Sequence, residues 1–392
     1  MTDCVKLILV GGFLGAGKTT LVAQAARRLA GQGRRVGLIT NDQAANLVDT
    51  AVLKDAGSTV DEVSGGCFCC RFHDLVGIME RLVAESRPDV LIGEPVGSCT
   101  DLSATVLQPI KEKHGDRFRV APFSVLVDGR QVRTLDRLRQ SLRTGGGPPF
   151  PESVMYIYQK QLEEADVIVL NKADLLPPGE LAELEASLRR EFPRVPLVTM
   201  SALSGDGVDA WLDFLAQEGP AGRTIAEVDY DRYADGEAAL GWLNAAIRLF
   251  ADERADWSIF CADLMSAMQN ALRGLPAEVA HLKLHLTAGE GSLVANLTGN
   301  DGTPSIRGHV DRTPSAVLLL NVRAQAEPEP LAQAVRQCLR RVSEGRARLV
   351  IDDFQSFSPA RPQPIYRYPS VVSATSPERA SGERGPAAAP GR

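Results

Sequence analysis

The chain reads as an α/β protein: a mostly parallel sheet flanked by helices, followed by a smaller α+β C-terminal domain. Three observations carry that reading. Short apolar runs alternate with amphipathic helical patterns through the first half, as βαβ units require. A glycine loop, Gly12-Phe13-Leu14-Gly15-Ala16-Gly17-Lys18-Thr19-Thr20, sits between the apolar run Val5–Val10 and a helical pattern from Leu21 to Leu29. After a Gly-, Pro- and charge-rich stretch at 218–238 the rhythm changes to longer alternating runs.

Strands are expected at Val5–Val10, Val36–Thr40, Val90–Ile92, Val120–Val127, Val167–Leu170 and Val195–Met200, with helices such as Leu75–Leu82 and Leu181–Leu188 between them. These make a first domain over 1–217 and leave 218–238 as a linker. In the second domain, 239–356, a strand at Leu240–Phe250 leads to a helix with Trp257, Phe260, Cys261, Leu264 and Met268 on one face. His281–Leu286 and Ser292–Leu297 alternate around a short Gly-containing turn and predict a hairpin. Its leucines read as core, while His281, Lys283 and His285 share the other face and read as a wet surface. The buried run Val317–Val322 and a helix with Leu331, Val335, Cys338 and Val342 complete the domain. Residues 357–392 are Pro-, Ser-, Ala- and Gly-rich with five Arg against two Glu, and are expected to be a disordered, dispensable tail.

A length of 392 residues and 44% hydrophobic content suit two ordinary globular cores. The net charge of −6 argues against an extensive nucleic-acid surface, and the basic segment Arg133–Arg143 reads as the solvated face of a helix. No apolar run approaches the ~20 residues that span a bilayer, and the first strand runs straight into the glycine loop with no secretory signal. Seven cysteines, three of them within four positions, do not form a secreted disulfide framework. A cytoplasmic protein with reduced thiols, binding neither membrane nor nucleic acid, is the expectation.

Strand, glycine loop, Lys-Thr and helix in that order are the phosphate-binding P-loop of a nucleoside triphosphatase. Gly12, Gly15, Ala16 and Gly17 let backbone N–H groups turn toward phosphate oxygens, and Thr20 continues the cradle at a helix N-terminus. Lys18 is expected to reach the β- and γ-phosphates and Thr19 to hold Mg²⁺ through its hydroxyl. Glu94, ending the buried run before Pro95-Val96-Gly97, is the candidate acid for the Mg²⁺ shell or the attacking water. Gly97 can offer its N–H to the γ-phosphate. Asp42 after the second strand is a further candidate acid, at the start of the other switch segment.

Asn171-Lys172-Ala173-Asp174 directly follows a strand. Its Asp carboxylate can accept two hydrogen bonds from guanine N1 and N2, which adenine cannot supply, so the nucleotide is expected to be GTP. Ser201-Ala202 after the next strand fits a loop whose N–H groups touch guanine O6.

Gly65-Gly66-Cys67-Phe68-Cys69-Cys70 lies between the two switch segments. Adjacent cysteines close a disulfide only in a strained ring, whereas three thiolates suit a soft or borderline ion such as Zn²⁺. A fourth ligand is absent from the motif: His73, Cys99, Asp42 and a partner molecule all remain open, including a second protomer sharing the site. Cys99 also reads as a small buried residue, Cys261 and Cys338 as core.

With Gly-Phe-Leu-Gly-Ala-Gly-Lys-Thr-Thr, Gly-Gly-Cys-Phe-Cys-Cys, Glu-Pro-Val-Gly and Asn-Lys-Ala-Asp in this order, the chain resembles the CobW-like GTPases over residues 5–215. These are relatives of the hydrogenase and urease metal-insertion GTPases. The resemblance implies slow GTP hydrolysis, Zn²⁺, Co²⁺ or another transition metal as cargo, and delivery to a client metalloprotein, with Cys67, Cys69 and Cys70 as ligands. Two departures stand out. Asn41-Asp42-Gln43-Ala44-Ala45-Asn46 replaces the family's Glu-bearing segment, and the histidine-rich stretch of many members is missing. The rival readings are a GTP-dependent activator of a metal- or cobalamin-dependent enzyme with a structural metal, and a small-molecule phosphotransferase.

Overall fold

In the computed structural model, residues 4–44, 47–55, 57–130, 150–217, 219–275, 278–300 and 302–373 are described. The segment Arg133–Arg143 lies outside them. Strands β1 (Val5–Gly12), β2 (Val36–Asn41), β3 (Thr59–Val63), β4 (Val90–Glu94), β5 (Phe118–Val120), β6 (Ser124–Asp128), β7 (Val167–Asn171) and β8 (Leu197–Thr199) form one sheet. Its order is β3-β2-β4-β1-β6-β7-β8, with β5 beside β1. Every pair is parallel. Alternate residues of β1 feed two apolar layers: Leu7 and Leu9 belong to one cluster, Ile8 and Val10 to the other. A strand buried on both faces must be apolar throughout, which is why these runs were legible.

The helices of this domain are α1 (Lys18–Gly31), α2 (Val48–Asp55), α3 (Phe72–Ser86), α4 (Gln108–Lys113), α5 (Glu152–Glu163), α6 (Pro178–Glu191) and α7 (Val208–Ala216). The carboxyl ends of β1, β2, β4, β6 and β7 open at one edge, and the motifs gather there. Two expected strands are shorter than their apolar runs. Val120–Val127 is split into β5 and β6 around Ala121–Phe123, where Pro122 has no N–H for a ladder. Val195–Met200 contracts to β8.

The stretch expected as a bare linker carries α8 (Tyr230–Ala238), capped by the Asp229 carboxylate on the N–H of Asp231 at 2.9 Å. This helix packs on the first domain: the Thr100 N–H donates to Tyr233 Oη at 3.3 Å and the Ser98 hydroxyl to Glu237 Oε1 at 2.6 Å. The second domain is a six-stranded antiparallel sheet. It is built from β9 (Gly241–Ala255), β10 (Val279–Ala288), β11 (Gly291–Leu297), β12 (Ser305–His309), β13 (Thr313–Ala324) and β14 (Arg348–Phe357). Its order is β12-β11-β10-β13-β9-β14. The edge strands β12 and β14 were not anticipated, because their exposed residues lack a clean apolar alternation. Helices α9 (Trp257–Arg273) and α10 (Pro328–Ser343) cover the face that carries Leu282, Leu284, Leu286, Leu318, Leu320 and Val322.

The opposite face is not wet. Lys283, Asn321 and Asn244 lie side by side across β10, β13 and β9, and His281, Arg323 and Trp242 form the next row. These rows press on the segment that follows β2. Arg323 Nη2 donates to both Asp42 oxygens at 3.2 and 2.9 Å, Asn244 Nδ2 adds a bond at 2.9 Å, and both partners of the ion pair are buried. The Trp242 ring lies 4.0 Å from the guanidinium carbon. Asn321 Oδ1 accepts the Val48 N–H at 2.8 Å, at the N-terminus of α2, and His285 Nε2 meets Asp55 Oδ2 at 2.7 Å at the other end.

The expected disordered tail is corrected for 358–373. There the chain runs back over the first domain: Ile365 N–H bonds to Cys69 O and Tyr368 N–H to Ala104 O, each at 3.0 Å. Arg367 Nε reaches the buried Asp101 carboxylate at 2.7 Å, and Val372 N–H bonds to Gln108 Oε1 at 2.8 Å. A Pro-rich composition excludes regular structure but not a strap held by side chains of the surface it crosses.

Two outcomes follow for stability. Removing one member of a buried ion pair strands the other, so Arg323→Met should lower the unfolding free energy by about 3–5 kcal/mol. The double variant with Asp42→Asn should recover part of that loss in chemical denaturation. Glu237 is pushed up to about 8, first by burial and then by the negative charge of Cys67. The native state thus holds a proton that the unfolded chain releases near its ordinary range. Stability is full below that range and falls as pH rises through about 8. Glu237→Gln, which mimics the neutral form, should flatten this fall and melt above the parent protein beyond about pH 8.

Candidate functional site

The glycine loop turns at Gly12, Gly15 and Gly17, all at positive φ. A Cβ on Gly17 would collide with the Asn171 amide, so this position tolerates only glycine on both counts. Lys18 Nζ, fully buried, donates to Gly12 O at 2.8 Å and to Phe13 O at 3.3 Å. Burial first, and the nearby Lys283, pull its ammonium below the ordinary lysine range, while Glu94 opposes them. A Cβ on Gly97 would lie 3.0 Å from Lys18 Nζ and 2.7 Å from Leu14 Cδ2. The loop after β4 therefore lies directly on the P-loop lysine.

The Thr19 hydroxyl sits 2.7 Å from Asp49 Oδ1 and 3.0 Å from Glu94 Oε1. Glu94 is raised to about 7, by burial first and then by the charge of Asp49. Its Oε2 is buried with no hydrogen-bond partner. Three hard oxygens and one orphaned acceptor suit a small divalent cation such as Mg²⁺. Asp49 was missed in the sequence. The acid chosen there, Asp42, is corrected in role: its carboxylate belongs to Arg323 and Asn244, and the second acid beside Thr19 is Asp49, from the first turn of α2. An acid in the first turn after the second strand was the available signal.

A cavity of about 430 Å³ joins these groups to the base-side motif. Gly15, Gly17, Lys18, Thr19, Thr20, Asp42, Glu94 and Gly97 line it, together with Asn171, Lys172, Asp174 and Ala202. Gly12, Ala16 and Ser201 are not among its lining residues. Asn171 ties the two ends: its Nδ2 donates to Ala16 O and its Oδ1 accepts the Ala202 N–H, both at 2.8 Å. Lys172 Nζ is 2.8 Å from Asp128 Oδ2, and the Asp174 side chain is exposed at the rim. Across the cavity stand His281, Lys283, Thr298, Arg307 and Arg323 of the second domain. His281 is buried, its Nδ1 has no partner, and desolvation holds the ring neutral.

The cysteine motif forms one cluster. Cys67 Sγ is 2.9 Å from Cys69 Sγ and 3.2 Å from Cys70 Sγ, and Cys69 and Cys70 are 3.8 Å apart. Hydrogen bonding with Cys69 and Cys70, with a further influence of Cys99, pulls the Cys67 thiol well below its ordinary range. The same bonds push Cys69 up, and Cys70 to about 11. All seven cysteines are free thiols. Of the fourth-ligand candidates, Cys99 is buried and electrostatically coupled to Cys67, whereas Asp42 is committed to Arg323. His73 is exposed and packs edge-on against Tyr366 of the strap.

Asn41 was noted only as a departure from a family pattern, and it is what positions the cluster. Its Nδ2 donates to Val63 O at 2.9 Å and Gly66 O at 2.7 Å, and its Oδ1 accepts the Phe68 N–H at 2.9 Å. The cysteine loop is thus pinned to the end of β2, next to Asp42. On its other side, Gln161 Nε2 holds Gly97 O at 3.0 Å and Cys99 O at 2.8 Å. The strap closes the cluster from outside, the Gln363 N–H pointing at Cys70 Sγ from 3.2 Å.

Among the described residues no helix is long and apolar enough to cross a membrane. The family model of the CobW/HypB/UreG nucleotide-binding domain matches residues 6–199. A relative named zinc chaperone CobW, from Sinorhizobium, is 30% identical over 206 residues, covering 49% of this chain and 57% of its own. One of the same name from Pseudomonas aeruginosa is 29% identical over 220 residues, covering 48% and 54%. The zinc chaperone YeiR of Escherichia coli is 28% identical over 186 residues, covering 46% and 49%. The chain thus spans about half the length of these relatives. The match runs from β1 through the Asn171 motif to β8, and residues 6–199 are a nucleotide-binding domain of the CobW/HypB/UreG family.

Proposed function

We propose that the chain is a GTP-hydrolysing metallochaperone. It loads a transition metal, Zn²⁺ or Co²⁺, on Cys67, Cys69 and Cys70 and passes it to a client metalloprotein. The observation that carries the reading is the double attachment of the cysteine cluster to the phosphate side of the nucleotide cavity. Asn41 fastens the cysteine loop to the end of β2, and Cys99, electrostatically coupled to Cys67, sits on the loop that bears Gly97, where Gln161 holds both carbonyls. A change at either loop on hydrolysis would move sulfur ligands and so change metal affinity. The names of the three relatives agree with Zn²⁺ as cargo.

In this reading Lys18 and the P-loop N–H groups hold the phosphates, and Asn171 and Asp174 select guanine. Thr19, Asp49 and Glu94 hold Mg²⁺, whose positive charge would neutralise the phosphate oxygens. Cys99 is the nearest fourth sulfur for the cargo ion. A second reading, an activator that docks on a cofactor-dependent enzyme and keeps its metal permanently, draws on the strap: closure of the cluster by Gln363 and Ile365 resembles a structural site more than an open one.

Metal affinity separates the two. Reduced protein carrying a non-hydrolysable GTP analogue should differ from the GDP form in Zn²⁺ affinity by about 1–3 kcal/mol in competition titrations. Cys69→Ser should weaken metal binding and leave nucleotide binding intact. Unchanged uptake by that variant would sink the ligand assignment, and one affinity in both nucleotide states would favour the activator. Asp174→Ala should cost guanine nucleotide about 1.5–3 kcal/mol, the value of hydrogen bonds to a charged group, with no comparable loss for ATP.

A further inference from the structure

The Thr19, Asp49 and Glu94 cradle already has a cation, and it comes from the second domain. Lys283 Nζ lies 2.5 Å from Asp49 Oδ1 and 3.4 Å from Thr19 Oγ1. Lys283 occupies the middle of β10, where alternation would place a solvated residue, yet its side chain is mostly buried. It is flanked on the same face by His281, toward the P-loop, and His285, at Asp55. Lys18, on the opposite wall, and Glu94 also face this spot, and Arg323 and Lys172 act on Asp49 and Lys283 from the same cavity.

We propose that Lys283 is a tethered cation that competes with the divalent ion of the nucleotide for the Thr19, Asp49 and Glu94 oxygens. A divalent ion bound to the Thr19 hydroxyl and the Asp49 carboxylate would lie within contact distance of the ammonium. Like charges that close repel strongly where the side chains that hold them are mostly buried. Entry of the ion therefore expels Lys283. Because Asn321 and His285 hold both ends of α2, expulsion strains the whole seam between that helix and the second sheet. The second domain thus reads out occupancy of the cation site directly, and by reciprocity its docking lowers the affinity for that ion. The inference rests on the nucleotide-binding reading above, but its core is a competition between two cations for three oxygens.

The test is a Mg²⁺ titration of the full chain with a fluorescent GTP analogue, comparing the parent protein, Lys283→Gln and Lys283→Arg. Lys283→Gln should lower the half-saturating Mg²⁺ concentration by about tenfold. It should leave analogue affinity in EDTA unchanged, and Lys283→Arg should keep the parent requirement. Hydrogen exchange of residues 47–55 and 279–288 should speed up when Mg²⁺ and analogue are added to the parent protein. An equal or greater Mg²⁺ requirement in Lys283→Gln would overturn the proposal, as would a loss of analogue affinity in EDTA, which would make Lys283 a phosphate ligand. Mn²⁺ binding without nucleotide, followed by the resonance of the free ion, gives a separate arm. Tighter Mn²⁺ binding by Lys283→Gln upholds the competition even if the protein takes no guanine nucleotide, and equal binding refutes it.

Discussion

The seam between the second sheet and the Asp42–Asp55 segment is the contact on which the rest of the arrangement depends. In an isolated P-loop domain the stretch after the second strand has little to pack against. Here it meets a wall of polar side chains at fixed strand register. Arg323 neutralises Asp42, Asn321 caps α2, Lys283 pairs with Asp49 and His285 with Asp55. The Asp42–Arg323 pair is fully desolvated, which is costly unless geometry and hydrogen bonding are complete. Two bonds from the guanidinium, one from Asn244 and the Trp242 ring meet that demand. The contact is therefore specific in register, since a shift of one residue along β13 would turn Arg323 into the leucine core.

From that seam two physical chains lead to the cysteines. One runs along the backbone from Asp42 to Asn41, whose amide clasps Gly66 and Phe68. The other crosses the cavity from Asp49 to Glu94 and Gly97, then along the loop to Cys99. Cation site, second domain and sulfur cluster are thus joined through short loops rather than through a rigid core. Loops of this kind move at low cost, whereas the two apolar layers on the parallel sheet do not. Nucleotide-dependent change is expected in the former and absent from the latter.

The strap adds a constraint from the opposite side. It gives Asp101 a guanidinium, leaves Ile365 bonded to Cys69 and points a backbone N–H at Cys70. A donor aimed at a sulfur stabilises the thiolate and so supports metal binding, while the same segment restricts access to it. Cargo exchange, under the proposed function, would require the strap to lift. In the proposed delivery cycle 358–373, and not only the nucleotide-binding loops, would stand between metal and client.

The sequence by itself determined the parts whose chemistry is local. The P-loop, Glu94, the Asn171 motif and the three cysteines each lie within a few residues of a strand end, where glycine conformation and alternating apolar runs dictate geometry. The buried parallel strands were legible for the same reason, and edge strands such as β12 and β14 were not, because exposure removes the apolar signal. Only the tertiary structure decided what stands opposite those parts. Lys283 reads as a solvated residue by its alternation, and it became a buried cation because an acid 234 positions away needed a charge. Asp42 reads as a site acid, yet Arg323 claims it; Asn41 and the strap had no motif at all, and Asp49 only its place in the first turn of α2. Pairing across long sequence separations is set by which faces meet when two sheets dock, and side-chain periodicity fixes a face without naming its partner.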